Sequence, residues 1–157
     1  MRYLTILFLL FLNSCTTNYY VVRHAEKSTY PKENPELTEE GAARAERLRV
    51  FLLEKKIKVV YSTNTTRTIN TAKPIADQKR LSIYVYEAKN QDKFIEKLKK
   101  LKKNTLIVGH SNTLKPIVNK LAEKELLKKD LEDNEYNKLF VIKRKAFGKP
   151  KSEVIEY

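Results

Sequence analysis

The sequence predicts a three-layer α/β/α domain with a largely parallel central sheet and a late hairpin at the sheet edge. From about residue 19 onward, short β-branched or aromatic segments alternate with longer segments whose apolar residues recur at helical spacing. The length of 157 residues fits one domain of ordinary size. Hydrophobic residues make up 41% of the chain and charged residues 32%, a composition typical of folded proteins rather than disordered ones.

The first strand and the first helix carry the clearest signals. Residues 19–22 are aromatic or β-branched, as in a buried strand, and they run directly into Arg23 and His24. Thr38 is a good N-cap residue for the helix that follows. That helix has apolar residues at helical spacing, namely Ala42, Ala45, Leu48 and Leu52.

The later elements continue the alternation. Strands are predicted at residues 57–61, 81–86 and 105–108, a helix at residues 92–101, and two late strands at residues 139–142 and 154–155. A helix is also expected to begin just before Arg67 and to be kinked or interrupted at Pro74. Ser111 or Asn112 is expected to cap the helix after the fourth strand.

The chain is strongly basic, with 32 Lys and Arg residues, 19 Asp and Glu residues and a net charge of +13. This charge would suit nucleic acid, an anionic membrane surface or phosphorylated substrates, and charge alone does not choose among them. The lysines are spread along the chain, which is also the pattern of a solvated surface. The single cysteine excludes an internal disulfide and any multi-cysteine metal site.

The amino terminus has the pattern of a secretory signal peptide. A positive start precedes an apolar run at residues 4–12 that is too short to span a bilayer, and the following residues 12–15 resemble a bacterial lipobox. We therefore expect a signal peptide at residues 1–14, a lipid on Cys15, a tether at residues 15–18 and the folded domain at residues 19–157. An unmodified Cys15 in an ordinary signal peptide is the alternative. Export and membrane anchoring through the lipid make nucleic acid an improbable partner, and the basic surface could add attraction to the membrane.

Both histidines of the chain directly follow predicted strands. His24 follows the first strand and His110 the fourth, and ligands of open α/β sheets bind at the carboxyl ends of strands. Arg23 and Arg67 belong to the same edge, so the four side chains could form a pocket for a small dianion such as a phosphoryl group. Alternatively, the histidines are structural and the arginines pair with surface acids such as Glu26.

Four sequence blocks, in this order, resemble the histidine phosphatase, or phosphoglycerate mutase-like, superfamily. They are Val22-Arg23-His24-Ala25-Glu26; Leu37-Thr38-Glu39-Glu40-Gly41; Tyr61-Ser62 with Arg67-Thr68 and Thr71-Ala72; and Val108-Gly109-His110-Ser111-Asn112. The resemblance extends from about residue 20 to residue 121, and together the blocks are highly specific.

The resemblance implies a phosphatase that acts on phosphate monoesters or phosphoproteins and needs no cofactor. It implies that His24 attacks phosphorus, that Arg23 and Arg67 bind the phosphoryl oxygens, and that His110 completes the pocket by hydrogen bonding to the transferring group. A phosphohistidine would form and water would hydrolyse it. The attacking imidazole must be neutral, and neighbouring guanidinium groups favour the neutral form by lowering its pKa.

The sequence departs from the family pattern at two points. Ala25 stands where glycine is commonest, and no acidic motif typical of the mutase branch is present to protonate the leaving oxygen. Glu87, which follows the third strand, is one candidate for this acid, and Glu26 is another or a partner that orients His24 or an arginine. A substrate with a good leaving group would need no strong acid. Single helices fill the stretches between the second and fourth strands, so we expect an open pocket without a helical cap.

Two other functions remain open from the sequence. His24, Glu26 and His110 could form a metal site of two histidines and one carboxylate, although the adjacent arginines would repel a cation. The domain could also be a membrane-anchored module that binds phosphorylated ligands without turnover.

Overall fold

The computed structural model describes residues 16–157, which form a six-stranded sheet and four helices. The strands are β1 (Thr17–Arg23), β2 (Val59–Ser62), β3 (Ile83–Val85), β4 (Thr105–Gly109), β5 (Lys138–Arg144) and β6 (Lys151–Glu156). The helices are α1 (Glu39–Leu52), α2 (Thr66–Gln78), α3 (Asp92–Leu101) and α4 (Ser111–Ala122).

The strand order in the sheet is β3-β2-β4-β1-β5-β6. The first four strands in this order are parallel, whereas β5 runs antiparallel to β1 and β6 runs antiparallel to β5. The predicted fold class is therefore confirmed, including the late hairpin at the sheet edge. Each of the connections from β2 to β3 and from β3 to β4 holds one helix, as the sequence predicts.

The alternation of side chains along β1 explains the three layers. Tyr19 and Val21 point into a core formed with α3 and α4, whereas Tyr20 and Val22 point into a core formed with α1 and α2. Successive residues of a strand face opposite sides of a sheet, so a strand that is apolar at every position needs a helical layer on each side. The histidine and arginine at the end of β1, His24 and Arg23, therefore extend from a buried central strand.

Two details of the elements differ from the predictions. β1 begins at Thr17, so Thr17 and Asn18 belong to the sheet rather than to a tether. Thr17 pairs with Arg144, and the Asn18 amide donates to Asn104 Oδ1 at 2.8 Å. Helix α2 continues through Pro74 to Gln78 without interruption.

The signal peptide and the lipid attachment at Cys15 lie outside the described residues. Among residues 16–157, no helix has the length and apolar character needed to cross a membrane.

The first turn of α1 packs against the chain just after the first histidine. Thr38 caps the helix as predicted, accepting a hydrogen bond from the Gly41 amide at 3.0 Å, and its own amide donates to the Glu26 carbonyl at 3.0 Å. A Cβ atom at position 41 would lie only 2.1 Å from that carbonyl oxygen. Gly41 therefore permits the helix end and the segment after His24 to approach each other.

We predict that Gly41→Ala lowers the free energy of unfolding by about 1–3 kcal/mol, because the new methyl group collides with backbone rather than with a movable side chain. Helix propensity alone would give the opposite sign, a gain of about 1 kcal/mol. Ala43→Gly, at an exposed position of the same helix, serves as the propensity reference and should lower the free energy by about 1 kcal/mol. Urea denaturation measures both, and an unchanged or higher value for Gly41→Ala would contradict the contact.

Candidate active site

The adjacent ends of β1 and β4 bring the two histidines together. Arg23 and Gly109 are register partners in the sheet, and the His24 amide donates to the Gly109 carbonyl at 2.9 Å. The next residue of each strand is a histidine, and the ring centroids of His24 and His110 lie 5.4 Å apart with an interplanar angle of 66°. The predicted convergence of the histidines is confirmed.

The His24 ring is buried and held in one tautomer. Its Nδ1 atom lies 2.7 Å from the Ala25 carbonyl oxygen, which only accepts, so Nδ1 carries the proton and Nε2 keeps its lone pair. Burial lowers the pKa of His24 to about 3; the hydrogen bond to Ala25 opposes this shift, and Arg23, His110 and Arg67 add to it. The arginines therefore lower the pKa of His24 as predicted, but the loss of hydration on burial lowers it more.

His110 is held in the other tautomer. Its Nε2 atom lies 2.9 Å from Thr63 Oγ1, and its Nδ1 atom lies 3.5 Å from a terminal nitrogen of Arg67. Because the guanidinium only donates, Nδ1 accepts, and Nε2 donates its hydrogen to the Thr63 hydroxyl. Burial, followed by Arg67 and Arg23, lowers the pKa of His110 to about 4.

His110 also occupies the N-cap position of α4, whereas the sequence predicts Ser111 or Asn112 there. The His110 amide donates to Thr113 Oγ1 at 2.8 Å. The histidine therefore remains extended at the strand end while the helix starts one residue later, and this fixes its backbone at the sheet edge.

Arg23 is 4% exposed and is held by the loop that precedes β5. One of its terminal nitrogens donates to the Glu132 carbonyl at 2.6 Å and lies 3.3 Å from the Asp133 carbonyl. The other lies 3.6 Å from the Asp133 carboxylate, whose side chain is fully exposed. The guanidinium carbon lies 4.4 Å from the centroid of the Tyr136 ring. Arg23 thus has an acidic partner, but this partner is Asp133 and not Glu26.

Arg67 reaches the site from the first turn of α2. Thr71, one helical turn later, donates to the Arg67 carbonyl at 2.7 Å and accepts from the Ala25 amide at 2.9 Å. This hydroxyl connects α2 to the segment of the nucleophile candidate. Within the described part of the chain, the Nε atoms of Arg23 and Arg67 are both buried without a hydrogen-bond partner. Unpartnered buried donors are costly, and they mark where an anion would be bound.

The carboxylate of Glu26 binds Arg44. Arg44 Nε donates to both carboxylate oxygens of Glu26, at 2.8 and 2.9 Å, and a terminal nitrogen lies 2.6 Å from Oε1. Although burial raises the pKa of Glu26, the hydrogen bond and the charge of Arg44 outweigh this effect and leave it below its usual value. Glu26 is therefore an ionised group that orients an arginine, but this arginine is Arg44 rather than Arg23 or Arg67. The prediction that Glu26 serves as the acid is wrong.

The alternative metal site of His24, Glu26 and His110 is not formed, because Glu26 is bound to Arg44. The carboxylate of Glu26 is committed to a guanidinium and does not join the two imidazoles. Within residues 16–157, no group of three His, Cys, Asp or Glu side chains is arranged to hold a metal ion.

Glu87 lies beside the site rather than in it. It is exposed and lines a groove of about 540 Å³ whose other residues include Tyr61, Phe94, Lys93 and Lys97. Among the described residues, no hydrogen bond or ion pair joins Glu87 to His24 or His110. Its assignment as the acid stays a prediction that this placement does not support.

Comparison with known proteins agrees with this geometry. Residues 19–88 match the family model of the histidine phosphatase superfamily (branch 1). This segment, less than half of the chain, is similar to that superfamily. No curated protein matches the sequence significantly.

Solved structures share the fold of this chain at low identity. The alpha-ribazole phosphatase from Shigella flexneri has a TM-score of 0.70 at 13% identity, covering 90% of this chain and 96% of that chain. The protein histidine phosphatase SixA, complexed with tungstate, has a TM-score of 0.68 at 14% identity, covering 89% and 97%. A phosphoglycerate mutase from Bacillus anthracis str. Sterne has a TM-score of 0.65 at 14% identity, covering 90% and 93%.

Sequence reasoning missed three residues that surround the site. Thr63 binds His110, Arg44 neutralises Glu26, and Tyr136 stacks on Arg23. Thr63 could have been found, because it is the first residue after β2 at the same sheet edge. Tyr136 lies in a loop without periodicity, and nothing in the sequence connects it with Arg23.

We predict that the two neutral histidines, His24 buried and His110 partly buried, make the protein less stable as the pH falls below 6.5. Their folded pKa values of about 3 and about 4 lie below the ordinary 6.5, so between these values the unfolded chain binds more protons. The free energy of unfolding should therefore fall with decreasing pH, by up to about 1.4 kcal/mol per pH unit for each histidine.

Urea denaturation between pH 6.5 and 5.0 measures this slope, and the window lies above the ordinary carboxylate pKa values. His24→Gln should remove about half of the histidine contribution. A free energy of unfolding that stays constant over this window would contradict the neutral state of both rings in the folded protein.

Proposed function

We propose that this chain is a phosphatase that hydrolyses phosphate monoesters, of a small molecule or a phosphoprotein, through a phosphohistidine on His24. The observation that carries the proposal is the orientation of the His24 ring. Its Nδ1–H is bound by the Ala25 carbonyl at 2.7 Å, which leaves the Nε2 lone pair as the nucleophile beside His110 and two guanidinium groups.

The arginines would bind the phosphoryl oxygens. Arg23 and Arg67 both act on His24 electrostatically, and both have buried Nε–H groups without a protein acceptor. A phosphoryl dianion would satisfy these donors and neutralise the repulsion between the two cations. Guanidinium groups fixed before the reaction also stabilise the charge on the equatorial oxygens in the transition state.

The proposed reaction has two displacements at phosphorus. In the first, His24 Nε2 forms a bond to phosphorus while the ester P–O bond breaks, and the leaving oxygen keeps the bonding electrons. In the second, a water oxygen attacks phosphorus, the P–N bond breaks, and His24 Nε2 recovers its lone pair as inorganic phosphate forms. The water loses a proton and the leaving oxygen gains one, so the overall reaction is hydrolysis.

The acids near the site favour substrates with good leaving groups. Glu26 is bound to Arg44, Asp133 is an exposed carboxylate beside Arg23, and Glu87 lines the neighbouring groove. In the described chain, no carboxylic acid held neutral by burial contacts His24. Water would then protonate the leaving group, which costs least when the leaving group is stable as an anion. The names of the structural neighbours, a protein histidine phosphatase and an alpha-ribazole phosphatase, agree with phosphorylated substrates.

We predict that the full chain hydrolyses a generic aryl phosphate and that His24→Ala lowers kcat by at least about 10³-fold, since loss of a nucleophile removes the covalent route. His110→Gln should lower kcat less, by about 10²-fold, because His110 lies beside the nucleophile and accepts from Arg67, so its loss shifts the Arg67 guanidinium without removing a reacting atom. Release of phosphate measures both, and circular dichroism checks that each variant is folded.

Two results would contradict this function. Activity that appears only after a divalent metal ion is added would favour a metal-dependent reaction. Tight binding of phosphate by the unmutated chain, without hydrolysis of any phosphorylated compound or phosphopeptide in a screen, would favour a binding module.

We also propose that the chain is exported and anchored to a bacterial membrane by a lipid on Cys15. The support is the apolar run followed by residues 12–15. Because β1 begins at Thr17, an anchor at Cys15 would hold the first strand almost directly at the membrane. The carboxyl end of β1, with His24, would lie roughly 20 Å further away, at about 3.3 Å per residue.

This anchoring makes a direct prediction. Mass spectrometry of the chain purified from the membranes of a bacterial host should show an acylated Cys15 as the first residue, and Cys15→Ala should abolish acylation and release the protein from the membrane. An unmodified Cys15, or a membrane-bound Cys15→Ala variant, would contradict the lipid anchor.

A further inference from the structure

The loop before β5 places an aromatic ring against one of the two candidate phosphate-binding arginines. Tyr136 lies under the Arg23 guanidinium, with 4.4 Å between the guanidinium carbon and the ring centroid. We propose that Tyr136 is a positioning residue of the site, whose ring holds the Arg23 guanidinium in the orientation that binds the phosphoryl group. The inference rests on the proposed function for the identity of the ligand.

The protein binds one side of the Arg23 guanidinium, at NH1, and leaves the opposite edge, formed by Nε and NH2, available to a ligand. The terminal nitrogen NH1 is bound by the carbonyls of Glu132 and Asp133, at 2.6 and 3.3 Å. Nε is buried without a partner in the described chain, and NH2 has only the Asp133 carboxylate, at 3.6 Å. The edge formed by Nε and NH2 is therefore available, and this edge has the fork geometry that binds two oxygens of a phosphoryl group.

Hydrogen bonds at NH1 alone would not fix this edge. Rotation of the guanidinium plane about the bonds at NH1 would move Nε and NH2 away from the ligand, because neither is bound by the protein core. The Tyr136 ring lies against the face of the plane and opposes that rotation. A guanidinium over an aromatic face is attracted by the ring electrons, and the attraction increases where both are withdrawn from water.

The same ring also borders the nucleophile candidate. The ring centroids of Tyr136 and His24 lie 6.0 Å apart with an interplanar angle of 52°. The Tyr136 ring thus lies beside both the proposed nucleophile, His24, and one group proposed to bind the phosphoryl oxygens, Arg23. A substitution there should change the binding of phosphate without removing any group that reacts.

The test is the dissociation constant for inorganic phosphate, measured by calorimetry on the full chain purified in mild detergent. Tyr136→Leu should weaken phosphate binding by about 2- to 30-fold, the range that corresponds to one cation–π contact. Tyr136→Phe keeps the ring and should remain within about twofold of the unmutated chain. Tyr84→Leu, the same change at an exposed tyrosine of the edge strand β3, is the matched control and should have no effect.

Steady-state kinetics with an aryl phosphate give a second readout. Tyr136→Leu should lower kcat/KM by at least the factor by which it weakens phosphate binding, and Tyr136→Phe should restore it. Rescue by phenylalanine separates the stacking from a general effect on the fold. If Tyr136→Leu does not fold, Tyr136→Trp replaces it as the test, and it should bind phosphate at least as tightly as the unmutated chain, since indole gives the strongest cation–π contact.

Three results would overturn the proposal: unchanged phosphate binding in Tyr136→Leu, equal losses in Tyr136→Leu and Tyr136→Phe, or weakened binding in Tyr136→Trp. Phosphate binding that depends on the ring in a chain without hydrolytic activity would support the positioning role while refuting the phosphatase. A chain that binds no phosphate at all would overturn both.

Discussion

The site depends on one backbone contact in the middle of the sheet. The His24 amide donates to the Gly109 carbonyl at 2.9 Å, where the parallel strands β1 and β4 end side by side. Because the register pairs Arg23 with Gly109, the residue after each strand is a histidine, and the two rings lie 5.4 Å apart. A shift of one residue in this register would turn the side chains of β1 to the opposite layers and separate the rings.

The side chains around this contact include several groups that, taken singly, would lower the stability of the fold. Two imidazoles are held in neutral form, one buried and one partly buried, and two guanidinium groups lie beside them. The Nε atom of each arginine lacks a partner in the described chain. An anion would satisfy the free donors and reduce the repulsion between the cations. The neutral state of His24, which the proposed attack requires, follows from the same burial. Stability and reactivity are therefore linked through the solvation of a few groups.

Much of the fold and part of the site could be predicted from the sequence, because both depend on local patterns. The order of strands and helices follows from apolar periodicity, and placing His24 and His110 after strands was enough to predict that they meet. The features that were missed depend on tertiary contacts. The helix that contains Pro74 continues because packing can outweigh a local preference, and Tyr136 reaches Arg23 from a loop without periodicity. Burial is the main cause of the lowered pKa of His24. How deeply the ring is buried depends on the tertiary structure and cannot be predicted from the sequence.

His24 Nε2 is the atom that we propose accepts the phosphoryl group, because the Ala25 carbonyl occupies Nδ1. Phosphorus and nitrogen NMR of the full chain, ring-labelled with ¹⁵N at histidine and quenched in alkali during turnover of an aryl phosphate, tests this directly. We expect a phosphoramidate on Nε2 of His24. A phosphoryl group on Nδ1, on His110 or on an oxygen atom of the protein would contradict it.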